Sequence, residues 1–161
     1  MRSFALATTL ALVAVLAATL PAAAGAIRPI SGEYTVSVVA VEQRCGANAL
    51  AIGFAGSGIA RYLGRMTGTG SNCTEFVLTT AEVNIWDGTV TFVAADGSTL
   101  TASYTGVQRA PVGSSAVVET SNTVVSGTGR FEGATGYWTG SGVIDFATGV
   151  FTGTLSGWVS Y

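Results

Sequence analysis

The chain has 161 residues, with 22 glycines and 10% charged side chains, where a typical domain has about 7% glycine and 25% charge. It holds seven arginines, no lysine and no histidine, which excludes Ser-His-Asp triads, Cys-His pairs, ordinary His-containing zinc sites, Schiff bases and P-loops. A net charge of −2 and a pI near 4.9 argue against a nucleic-acid partner, whose backbone demands clustered cations.

Residues 1–26 read as a secretory signal. Arg2 is a minimal positive region, Phe4 to Leu20 is an apolar run, and Pro21-Ala22-Ala23-Ala24-Gly25-Ala26 supplies small residues for cleavage after Ala24 or Ala26. A segment this long could instead anchor in a membrane, but alanine dominates it and the small-residue site follows a helix-breaking proline. The expectation is a secreted protein with no membrane contact after cleavage and a single domain over 27–161. Both cysteines, Cys45 and Cys73, fall in that domain, and an oxidising compartment favours their pairing as a disulfide. Closing a loop of about 29 residues would contribute roughly 3–4 kcal/mol.

After residue 30 the pattern is two-residue alternation punctuated by Gly, Asp-Gly and Thr-Gly. Strands are predicted over Glu33–Glu42 and Leu50–Tyr62, then a polar Gly/Thr loop over 64–72. Thr74–Thr80 and Glu82–Trp86 are extended, Asp87-Gly88 is a turn, and Thr89–Ala94 and Thr99–Tyr104 form a hairpin about Asp96-Gly97. A loop over Gln108–Ser115 leads to Ala116–Val125, Arg130–Ala134, Tyr137–Phe146 and Val150–Trp158. About eight strands at this spacing suit an all-β barrel or sandwich. On three predicted faces large and absent side chains alternate: Phe151, Gly153, Leu155, Gly157, Val159; Trp138, Gly140, Gly142, Ile144, Phe146; and Ile52, Phe54, Gly56, Gly58, Ala60. Glycine weakens a strand, so its repetition points to the coiling of a small closed barrel, to close approach of a ligand, or to compositional drift. Thr128-Gly129-Arg130-Phe131-Glu132-Gly133 is echoed twenty residues later by Thr148-Gly149-Val150-Phe151-Thr152-Gly153, about one hairpin repeat.

The block Gly127-Thr128-Gly129-Arg130-Phe131-Glu132-Gly133-Ala134-Thr135-Gly136 resembles the glycine motif of allene oxide cyclase-like barrels, and dirigent proteins carry a related one. Thr91–Leu100 with Tyr104-Thr105-Gly106, and Phe151–Gly157, are similar to segments of secreted bacterial members. The resemblance covers residues 89–161 and implies a calycin-type, single antiparallel eight-stranded up-and-down barrel with a cavity for an apolar small molecule. It carries no active site across. Where plant cyclases bear a carboxylate and an amide on the first strand, this chain has Val38-Val39-Ala40-Val41, with Glu42 the nearest acid.

The glycine block is not a dinucleotide cradle, for no helix pattern follows it. Glu75 and Glu119 lie within strand patterns, where an inward carboxylate would act as a general acid or base and an outward one would be a polar surface group. Arg61 and Arg65 flank a loop and Arg109 lies near Pro111, so each could rim an opening and hold a carboxylate or simply be solvated. Trp86, Tyr104 and Trp138 could line an apolar site or pack the barrel. No metal or cofactor is expected, and association with other copies cannot be derived. The leading reading is a barrel that binds a small apolar ligand. A cyclase or isomerase without metal or histidine, and a filled barrel acting through its surface, are the alternatives.

Overall fold

Alternation sustained over eleven to sixteen residues at a time folds as strand along nearly the whole domain. The computed structural model describes residues 25–75, 82–109 and 111–161. Its strands are β1 (Ile27–Glu42), β2 (Ala49–Ala60), β3 (Gly64–Glu75), β4 (Glu82–Ala94), β5 (Thr99–Arg109), β6 (Ser115–Gly127), β7 (Thr135–Asp145) and β8 (Val150–Ser160). Each strand pairs antiparallel with the next, and β8 returns to β1 from Ile27↔Ser160 to Ser37↔Val150. The sheet therefore closes as the all-β, eight-stranded up-and-down barrel that the sequence implies, and closure leaves no edge strand exposed.

Several segments depart from the sequence pattern. Residues 64–72, expected as a loop, are most of β3, paired along their length with β2 and β4. Its inward positions Gly68 and Gly70 lie under the rings of Phe92 and Phe54, so the apolar surface of this strand is supplied by its neighbours and is invisible in its own residues. Asp87-Gly88, expected as a turn, is a bulge inside β4. Ile85 pairs with Gly106 and Gly88 with Tyr104, which leaves three steps of β4 opposite two of β5. Asp87 takes a positive φ of 49°. The bulge switches the inward parity, so Val83 and Ile85 above it and Val90 and Phe92 below it all face the interior. Arg130–Ala134, expected as extended, is a 3-10 turn over Gly129–Phe131 bounded by Gly129 and Gly133 at φ of 60° and 71°. Thr74–Thr80 is strand only to Glu75, and its remainder lies outside the described residues, as does the expected leader up to residue 24.

The three glycine-bearing faces read from the sequence are inner faces: Phe54, Gly56 and Gly58, Trp138 and Leu155 all line one interior space. One end of that space is filled. There the turn bearing Phe131, together with Leu63, Leu100, Ile30, Met66 and Val159, forms the buried core cluster. Phe131 meets the Tyr161 ring edge-on at 4.9 Å. Arg130 secures the turn by donating from Nη2 to the Leu63 carbonyl at 2.6 Å, while its backbone N–H donates to Ser98 Oγ at 3.1 Å. The glycine block behind the family resemblance is thus the floor of the barrel.

At the opposite end, Cys45 in the β1–β2 loop is disulfide-bonded to Cys73 on β3, with Cα atoms 5.8 Å apart. The bond fastens that loop across β2. Reduction, or Cys45→Ala with Cys73→Ala, is expected to lower unfolding free energy by about 3–4 kcal/mol on the loop-closure model, as checked by urea denaturation with and without reductant.

Candidate functional site

Above the floor the barrel is hollow, with a cavity of about 790 Å³. The hollow survives because aromatic side chains pack against glycines of the wall. A Cβ on Gly153 would fall 2.6 Å from the Phe151 ring, and one on Gly142 would fall 2.5 Å from it. The same relation holds between Phe54 and Gly70 (2.4 Å) and between Tyr104 and Gly88 (2.6 Å). Each ring packs against backbone instead of crossing the lumen, and the rings meet in pairs: Tyr34 with Phe151 at 5.4 Å, Phe92 with Trp138 at 6.0 Å, Phe54 with Tyr104 at 6.4 Å. Glycine therefore makes room for the lining, which then bounds the space. Gly153→Ala and Gly142→Ala are each expected to destabilise by about 1–3 kcal/mol through overpacking. Chemical denaturation of each single variant checks the loss.

Polar groups inside the cavity form a belt at mid-height. Tyr104 Oη donates to Asn72 Oδ1 at 2.9 Å. Asn122, 5% exposed, donates from Nδ2 to Thr120 Oγ1 at 3.0 Å and to the Trp138 carbonyl at 3.2 Å. Tyr34 Oη has no hydrogen-bond partner among the described residues. Burial pushes the Tyr34 phenol up to about 12, and burial with the nearby Tyr34 pushes Tyr104 higher still. Both phenols are O–H donors at neutral pH. Because the folded value of Tyr34 exceeds the ordinary 10.0, its contribution to stability is complete below about pH 10 and is lost as pH rises towards 12. A shift of this size corresponds to roughly 2–3 kcal/mol. Urea denaturation between pH 8 and 12 should show that fall, and Tyr34→Phe should reduce it to the share contributed by the buried Tyr104 phenol.

The mouth lies at the disulfide end. Val41, Phe146, Pro111 and Gly113 line it, with Val41 and Phe146 about half exposed. Glu75 stands at this rim, accepting from the Asn84 backbone N–H at 3.2 Å. Arg109, also at the rim, bridges Glu82 and Glu119, the latter at 2.7 Å. Hydrogen bonding to Glu119 and the charge of Glu82 raise the Arg109 pKa further above its ordinary range. Glu119 is exposed and absent from the lining.

Of the aromatic candidates, Tyr104 and Trp138 face the lumen. Trp86 does not line it and is half-buried beside Cys73, its cross-strand neighbour. Arg61 is at the floor end, its guanidinium 5.0 Å from the Tyr62 ring centroid, and Arg65 is exposed on β3 near the same end. Tyr34, Thr120 and Asn122 carry no signal of their own in the sequence, and Asn72, in Asn72-Cys73-Thr74, has only the form of a glycosylation acceptor there, not of a lining residue. Their shared mark is a polar residue in phase with an apolar face, and it emerges only when the inward parity of each strand is known. Among the described residues no three His, Cys, Asp or Glu side chains gather to hold a metal ion.

No family model matches the chain, and no curated protein matches it. Among solved structures, that of the pterocarpan synthase dirigent protein PsPTS1 is similar, with 19% identity over 84% of this chain and 96% of that one and a TM-score of 0.46.

Proposed function

We propose that the protein is a secreted barrel that binds one small, mainly apolar molecule in its lumen. The observation that carries this reading is the 790 Å³ cavity walled by Val, Ile, Leu, Phe and Trp side chains, filled at one end and open at the other. Its size falls within the range of about 300–1,000 Å³ that encloses drug-sized molecules, and a few polar groups in an apolar wall are the usual means of orienting such a guest. A covalently fastened rim and an N-terminal leader pattern agree with a role outside the cell.

Native mass spectrometry of the protein purified from its own culture medium should reveal a co-purifying small molecule. Apolar compounds added at about a hundred times their dissociation constant should stabilise the barrel by about 2.7 kcal/mol, raising Tm by roughly 8–10 °C. An empty protein that no compound in an apolar panel stabilises would overturn the reading.

A further inference from the structure

Resting on the reading of the lumen as a binding site, we propose that the hydroxyls of Tyr34 and Thr120 together grip a neutral acceptor oxygen of the ligand, such as a ketone or quinone carbonyl. The two groups come from β1 and β6 and converge over Gly140 on β7. A Cβ at Gly140 would lie 2.6 Å from Thr120 Oγ1 and 2.9 Å from Tyr34 Oη, with no backbone atom of another residue among its three nearest neighbours. The missing side chain is what lets the two oxygens approach.

Both hydroxyls have a hydrogen to give. Tyr34 Oη has no acceptor in the protein among the described residues. Thr120 Oγ1 already accepts from Asn122 Nδ2, whose other hydrogen serves the Trp138 carbonyl. That arrangement fills a lone pair of Thr120 and leaves its O–H free to donate. Tyr104, in contrast, is spent on Asn72. Two unspent donors facing the lumen from an apolar wall call for an acceptor on the guest, because a donor that gives up water to an apolar guest and gains no partner is costly.

The acceptor is neutral because no cation stands at that depth. Among the described lining residues the cation is Arg109, at the rim and held by Glu82 and Glu119. A carboxylate placed beside Tyr34 would be desolvated with no opposite charge near it.

The test uses benzophenone and diphenylmethane, which share a skeleton and differ by a carbonyl, measured by calorimetric titration of the whole secreted protein. The ratio of their affinities, ketone over hydrocarbon, should fall about tenfold in Tyr34→Phe with Thr120→Val, and about three- to fivefold in each single variant. The carbonyl stretch of bound benzophenone should lie below its value in a hydrocarbon solvent and return towards that value in the double variant. If both probes bind and the ratio and the stretch ignore these substitutions, the hydroxyl pair is refuted and the lumen reading stands. If neither probe binds the folded protein, as judged by circular dichroism, both are refuted.

Discussion

The contact on which this barrel depends is that of an aromatic ring lying on a neighbouring glycine. In an eight-stranded barrel the interior is about wide enough for side chains to fill it. Here the large side chains Phe151, Phe54 and Tyr104 fold back over Gly153, Gly70 and Gly88 and so spend their bulk on the wall. The glycines weaken their strands individually, but the ring above each one restores apolar contact over the bare backbone. A two-layered wall of sheet and ring results, with the axis left free.

Polarity is distributed with equal economy. Charged groups stay at the rim or outside, where Arg109 is shared between two carboxylates. Among the described residues, the polar groups at mid-height are amides and hydroxyls, most of them bonded to one another. At the far end Phe131 and its neighbours close the barrel, so the lumen is a cup with one mouth.

Much of this was legible in the residues. Alternation of large and absent side chains marked three inner faces, and Asp96-Gly97 marked its hairpin, which forms with Gly97 at φ 82°. What escaped did so for identifiable reasons. β3 has no large apolar residue at Gly68 or Gly70 because Phe92 and Phe54 reach across to them, so its hydrophobic signal is written in β4 and β2. β4 looked like two strands because a bulge reverses its parity at Asp87. The segment after Thr128 looked extended, yet two glycines with positive φ bend it into the turn that inserts Phe131. Trp138 and Tyr104 stood out by size, whereas Tyr34 and Thr120 are brought together about Gly140 by the closed register, which no single strand reveals.

The partnership of ring and glycine is also asymmetric under substitution. At Gly142 or Gly153 any added atom collides with backbone as well as ring, so these sites are frozen. The ring itself is free to shrink, and a smaller residue in place of Phe54 or Phe151 would enlarge the chamber while leaving the scaffold's hydrogen bonds untouched. Chamber volume and architecture are thereby written at separate positions, so the space inside can change without redrawing the vessel.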